Sequence, residues 1–299
     1  MTSSDAIPES TLPYPPVYKD KRFVVLSDWF VPLLPASLEL RAQSKRHAGT
    51  ERLQHKIPTT VRFHPRLPFK LDHYLLDMTD NLGFGKEKRR AGNLDVLAGR
   101  QTFRDGFREM LESIVANGYS FEACQDELRK NIKLDAGFKD FHTWCRSNDI
   151  PVVIVSSGMA PIIRAVLRNI VGDDVADTID IIANDVEVKE DGTWAIKFRH
   201  PSSGYGHDKS RAILPYKELE SPPLLFFFGD GVSDMSAARH ADVLFVKQKE
   251  DGENDLAVYC TREGIPHILF DDFRDALVVV QSVVSGERSP KEVLEKGRC

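Results

Sequence analysis

The sequence is short of several things that would assign a class at once. It has only four cysteines (Cys124, Cys145, Cys260, Cys299), with no Cys-x-x-Cys pair and no metal-ligand spacing. That predicts reduced thiols rather than a disulfide framework or a thiolate metal site. No apolar run approaches the roughly 18 residues of a membrane span, and the first residues lack an apolar leader core. No Asn-x-Ser/Thr sequon occurs. Together these predict a cytoplasmic protein. Basic excess is missing too: 40 Lys and Arg stand against 45 Asp and Glu, a net charge of −5. A nucleic-acid or anionic-membrane partner is therefore not expected. No Gly-x-x-x-x-Gly-Lys-Ser/Thr run is present, which argues against a P-loop nucleotide module.

What is present is a series of short apolar runs that end in polar residues. Phe23-Val24-Val25-Leu26-Ser27 runs into Asp28. Pro151-Val152-Val153-Ile154-Val155 runs into Ser156-Ser157-Gly158. Leu224-Leu225-Phe226-Phe227-Phe228 runs into Gly229-Asp230-Gly231-Val232-Ser233-Asp234. Unbroken apolar runs of this length suit parallel strands covered on both faces. Two further runs, Val243–Val246 and Pro266–Phe270, read the same way, and residues 178–199 alternate as a hairpin around Asp191-Gly192. Helical periodicity fills 103–115, 121–132 and 136–147, and Pro161 and Asp272 suit the starts of two more helices. Gly83-Phe84-Gly85-Lys86 lacks a preceding strand and reads as a turn between helices. The fold class expected is α/β: a parallel sheet with right-handed crossovers, plus a helical cap inserted after the first strand.

The predicted boundaries are a disordered proline-rich tail over 1–20, core over 21–29 and 151–286, cap over 77–150, and a C-terminal tail over 287–299. Residues 30–76 stand apart. They are basic and proline-rich, without apolar periodicity, and four of the nine histidines fall there (His47, His55, His64, His73) too widely spaced for a metal site. An irregular insertion is the expectation.

In open α/β sheets chemistry sits beyond the carboxyl ends of the strands. Asp28 is placed to act as a nucleophile toward phosphorus. Ser156 and the amides of Ser157 and Gly158, read as a helix start, can bind phosphate oxygens. Lys209, in Gly206-His207-Asp208-Lys209-Ser210, can neutralise phosphate and keep a carboxylate ionised. Asp230 and Asp234 can hold a hard cation, with Mg²⁺ favoured. Each of these residues alone has an ordinary structural explanation. Their order along the chain is the signal.

That order resembles the haloacid dehalogenase-like superfamily, in its phosphoserine-phosphatase-like branch, over residues 21–29 and 78–286. Within the branch it looks like fungal small-molecule phosphatases of the sugar, polyol or diketo-methylthio-phosphopentane type. The resemblance implies a Rossmann-like core and Mg²⁺-dependent hydrolysis of a small phosphomonoester through an aspartyl-phosphate. By position, Asp28 matches the nucleophile, Ser156 the phosphate-binding hydroxyl, Lys209 the family lysine, and Asp230 and Asp234 the acidic pair. The metal set it implies is Asp28, the backbone carbonyl of Phe30, Asp230 and Asp234. One departure is sharp. The family's first motif is Asp-x-Asp-Gly-Thr, and here it reads Asp28-Trp29-Phe30-Val31-Pro32. Phe30 stands where the general acid belongs, and Pro32 replaces the threonine. The segment 30–76 is also some three dozen residues longer than the family's, as a retained or mispredicted intron would produce. The alternative function is therefore a non-catalytic binding protein that keeps the fold and its phosphate site. Arg104 and Arg108 are candidate substrate contacts, with a solvated helix face as the plainer reading.

Overall fold

The computed structural model describes residues 9–28, 74–131, 137–249 and 252–299. The first strand, β1 (Phe23–Ser27), lies inside a seven-stranded sheet with β2 (Val152–Met159), β3 (Asp180–Val188), β4 (Trp194–Lys197), β5 (Leu224–Gly229), β6 (Val243–Lys247) and β7 (Ile268–Phe270). The order is β4-β3-β2-β1-β5-β6-β7. All pairs are parallel except β3 with β4. Successive strand residues feed opposite cores, as the two-residue period of a strand requires. Val25, Phe226, Phe228 and Phe245 face one layer, and Val24, Leu26, Leu225 and Phe227 face the other. This is why the runs show no polar alternation. On the first side Phe228 stacks on Phe245 at 4.5 Å between ring centroids and meets Phe141 and Phe273 edge-on or tilted. Truncating one such ring to Ala costs about 3–5 kcal/mol.

Four helices follow β1 in the chain: α1 (Tyr74–Asn81), α2 (Lys86–Leu97), α3 (Phe103–Ala116) and α4 (Phe121–Asn131). Three of them, α1, α3 and α4, share one apolar cluster, including Met78, Phe107, Leu111, Ile114 and Leu128, with Trp194 and Phe198 of the hairpin region, while Val96 and Leu97 of α2 pack against a core layer of the sheet. The Trp194 indole N–H also donates to the Tyr119 carbonyl at 3.0 Å. The turn expected at Gly83–Lys86 lies between α1 and α2.

Several expected boundaries move. The helix α5 (Phe138–Ser147) does not join the other four. Its Phe138, Phe141 and Cys145 pack beneath the sheet with α11 (Phe273–Val284), so the helical block to residue 150 divides near residue 131. Amphipathic periodicity shows that a helix has a buried face, not which core receives it. Residues 9–20, expected as a disordered tail, lie on the body instead. Arg199 donates to the carbonyls of Leu12 and Pro13 at 2.9 and 3.0 Å, and Tyr18 donates to Asp180 at 2.7 Å. Proline-rich chain lacks periodicity, yet its free carbonyls suit a buried guanidinium. The expected C-terminal tail contains a further helix, α12 (Pro290–Lys296), with a Ser289–Glu292 capping box, and Arg298 bridges to Leu269. The segment expected as an insertion, 30–76, lies outside the described residues up to 73, and its last three residues belong to α1.

Candidate active site

Parallel strands bring their carboxyl ends to one edge. Ser27 pairs with Phe228 on one side and Ile154 on the other, so the next rung sets Asp28 between the ends of β5 and β2. The Asp28 N–H donates to the Phe228 carbonyl at 2.8 Å, which fixes its backbone. Lys209 precedes helix α8 (Ser210–Lys217) and is completely buried. Its Nζ lies 2.7 Å from Asp28 Oδ2 and 2.6 Å from Asp234 Oδ1. Asp234 Oδ2 accepts the N–H groups of Asp230 and Gly231 at 3.0 and 3.1 Å. Gly229 makes this turn possible. A β-carbon there would stand 2.8 Å from Asp234 Cγ.

Carboxylate oxygens of Asp28, Asp230 and Asp234 gather within 4.8 Å of one another. Burial, then the charge of Asp234, pushes the Asp28 carboxyl up from its ordinary range. Burial also raises Asp230, although Lys249 Nζ at 3.1 Å from its Oδ2 works the other way. Burial opposes the Lys209 ammonium, but Asp234 and Asp28 outweigh it and hold that lysine protonated. Three buried carboxylates facing two lysines form an acid-rich set of oxygen donors, which fits a hard divalent cation.

Removing the central cation exposes what it does. Lys209→Met leaves buried carboxylates uncompensated and is expected to destabilise the fold by about 3–5 kcal/mol. The urea midpoint measures this. Adding Asp234→Asn should recover part of the loss, because the pair act through one contact.

The segment Ser156–Gly158 differs from its expected form. Ser157 and Gly158 are not at a helix start; β2 continues through Met159 and α6 (Ala160–Val171) follows. Val155 pairs with Ile182 and Met159 with Asn184, so four steps on β2 match two on β3. Residues 156–158 thus bulge from the ladder. The Gly158 N–H meets Ser156 Oγ at 3.1 Å, and the Ser157 hydroxyl is buried with no hydrogen-bond partner among the described residues.

Above this edge lies a small cavity of about 90 Å³. Its floor includes Asp28, Ser156–Gly158 and Asp230; Thr79, Asn93, Phe103, Phe107 and Met110 from α1 to α3 form one wall, and Lys249, Glu253 and Asp255 beyond β6 form a charged side. All eight sequence-predicted site residues except Phe30 are described. Asp28, Lys209, Ser156, Ser157, Gly158, Asp230 and Asp234 converge on this edge, while Phe30 lies outside the described residues. Arg104 and Arg108 do not line the cavity. Both pair with Asp105, and Arg104 also donates to the Pro201 carbonyl.

Sequence reasoning missed Lys249 and the ion pairs between α2 and the segment after β6. Arg89, 3% exposed, reaches Asp80 at 2.8 Å and Glu253 at 2.9 Å. Arg90 reaches Asp255 at 2.6 Å. Burial alone would raise the Glu253 carboxyl, but Arg89 outweighs it and holds it below its ordinary value. Lys249 lies beyond the carboxyl end of β6, where the strand-end rule could have found it.

A doubly covered, mainly parallel sheet with a strand-end aspartate, a buried lysine and an acidic pair beneath a helical wall defines a phosphotransfer-type α/β hydrolase. Comparison with known proteins agrees. The family model for haloacid dehalogenase-like hydrolase matches residues 71–239, and the chain belongs to that family. It is 43% identical over 226 residues to polyol phosphate phosphatase PYP1 of Saccharomyces cerevisiae, covering 73% of this chain and 90% of that protein. It is 27% identical over 184 residues to a 2-hydroxy-3-keto-5-methylthiopentenyl-1-phosphate phosphatase of Bacillus pumilus, covering 60% of this chain and 74% of that one. A phosphoserine phosphatase solved as a phospho-aspartyl intermediate analogue superposes with a TM-score of 0.50 at 14% identity, covering 69% of this chain and 91% of that chain. This last likeness is one of fold. The chain is thus a haloacid dehalogenase-like hydrolase by family, and the relatives it matches are named phosphatases.

Proposed function

We propose that the chain hydrolyses the phosphomonoester of a small neutral polyhydroxy compound, a polyol or sugar phosphate, through an aspartyl-phosphate on Asp28. The observation that carries this reading is the buried Asp28–Lys209–Asp234 contact set beneath a cavity whose helical wall is uncharged and whose lining cation, Lys249, faces Asp230. Asp28 attacks phosphorus. A bond forms from its carboxylate oxygen to phosphorus as the bond to the substrate's alcohol oxygen breaks. Water then cleaves the acyl phosphate, releasing inorganic phosphate and restoring Asp28. Lys209 holds Asp28 in place and offsets charge on the phosphoryl oxygens. The hydroxyl of Ser156 and the amides of Ser157 and Gly158 bind those oxygens.

Asp28, Asp230 and Asp234 would hold Mg²⁺, with the Phe30 carbonyl as the fourth protein ligand. Both Asp234 oxygens already accept hydrogen bonds, so Asp28 and Asp230 carry the larger share. When bound, the cation neutralises the carboxylate cluster and polarises a phosphoryl oxygen.

The wall supports a neutral substrate over an amino-acid phosphate. Thr79, Asn93, Phe103, Phe107 and Met110 offer no cation to a substrate carboxylate, and Lys249 already faces Asp230. The name of the yeast relative, polyol phosphate phosphatase, points the same way. A second reading, phosphate binding without turnover in a cytoplasmic protein, is favoured by one residue, Phe30 in place of the acid.

Phosphate release from a panel of phosphorylated polyols, sugars and amino acids tests the proposal. Release is expected from polyol or sugar phosphates in Mg²⁺, to fall to background on chelation, and to return when Mg²⁺ is restored. Turnover of phosphoserine alone would sink the substrate assignment. Phosphate-dependent thermal stabilisation with no release from any substrate would favour the second reading.

A further inference from the structure

Asn184 and His207 have no place in the chemistry above, yet both are fully buried beside the phosphate-binding bulge. His207 Nδ1 lies 2.7 Å from the Ser156 carbonyl oxygen. A carbonyl only accepts, so Nδ1 carries the proton and the neutral tautomer is set. Asn184 Nδ2 donates to the next carbonyl, that of Ser157, at 2.8 Å. Its Oδ1 accepts the Arg199 N–H at 2.8 Å, which fixes the amide orientation.

The peptide unit is planar and trans, so its C=O and N–H point in opposite directions. A donor that holds the Ser156 carbonyl back turns the Ser157 N–H the other way. A donor on the Ser157 carbonyl does the same for the Gly158 N–H. Residues 156–158 line the cavity, whereas Asn184 and His207 do not. We propose that Asn184 and His207 are positioning residues: His207 aims the Ser157 amide at the phosphoryl group, and Asn184 sets the Gly158 amide, which it shares with the Ser156 hydroxyl 3.1 Å away, on the same side. The proposal rests on the phosphate-site reading given above. The bulge makes such props necessary, because these residues have left the one-to-one pairing that would otherwise orient them.

The props are themselves braced. The Asp208 N–H donates to His200 Nδ1 at 3.0 Å, and the His200 ring lies 5.6 Å from that of His207. Tyr14 Oη meets His200 Nε2 at 2.8 Å. The N-terminal segment thereby tightens the loop that delivers both His207 and Lys209.

The test is inorganic phosphate binding in Mg²⁺, read by thermal shift and by product inhibition. His207→Leu removes the donor and is expected to weaken phosphate binding about tenfold, the size of one good hydrogen bond. His207→Asn sets an amide nitrogen near the place of Nδ1 and should stay within about threefold of the parent. Asn184→Ala should match His207→Leu, and keeps the test open should the leucine variant fail to fold. Equal phosphate affinity in the parent, His207→Leu and Asn184→Ala would overturn the positioning role, whatever their melting temperatures. A parent with no response to phosphate would instead overturn the phosphate site, and this inference with it.

Discussion

Asp28→Asn is expected to abolish phosphate release, by about 10³-fold or more, without unfolding the protein. The two halves of this expectation come from different physics. An amide oxygen is a poor nucleophile and its phosphoryl adduct has no stable form, so the covalent route closes. Stability behaves otherwise. Asp28 is one of three clustered carboxylates, and burial and Asp234 already oppose its charge. Neutralising it relieves that repulsion, while Lys209 keeps Asp234 at 2.6 Å. In metal-free buffer the variant should therefore melt no lower than the parent. Adding Mg²⁺ should stabilise the parent more than the variant, because one ligand charge is missing. A variant that released phosphate at the parent's rate would remove Asp28 from the nucleophile's place. One that was both inactive and unfolded would show Asp28 to be structural first.

Much of this site was legible in the chain. Three apolar runs ending in Asp28, Ser156 and Asp230 are strands whose carboxyl ends must share an edge if the sheet is parallel, and they do. Lys209 is legible only from its place in the order of the other motifs, since a lysine in a loop carries no local sign of burial. Other features left no trace in periodicity. The bulge at 156–158 looks like the end of a strand, because a bulge and a terminus both break the apolar run. Asn184 sits in Ile181-Ile182-Ala183-Asn184 as a polar interruption, and nothing local says that its amide serves Ser157. The segment 9–20 is ordered by contacts with Arg199 and Asp180, far along the chain, which a local reading of prolines cannot see. Sequence spacing encodes which face of an element is apolar; it does not encode which distant element supplies the partner.

Phe30→Asp is expected to raise the rate on alkyl phosphates by about 10²–10⁴-fold, the usual worth of a placed general acid and base. The argument is one of proton inventory. Breaking the phosphorus–oxygen bond of a polyol phosphate releases an alkoxide, which must gain a proton as it leaves. The next step needs a base to take a proton from water. A phenyl ring does neither. The other described carboxyls at this edge are engaged elsewhere: Glu253 is held ionised by Arg89, Asp255 is paired with Arg90, Asp234 is fixed by Lys209, and Asp230 faces Lys249 and the cation site. Leaving-group chemistry then gives the claim an internal control. A nitrophenolate departs without protonation, so the parent chain should cleave an aryl phosphate far better than an alkyl one. Phe30→Asp should therefore accelerate the first step much more on the alkyl ester than on the aryl one. A further variant, with residues 30–76 exchanged for a short loop containing Asp-Gly-Thr, restores the turn as well as the acid and should exceed the single substitution. If both variants leave the alkyl and aryl rates at the parent's values, the missing proton donor is not what limits this chain. Where those rates are also at background, the aspartyl-phosphate route gives way to phosphate binding without turnover.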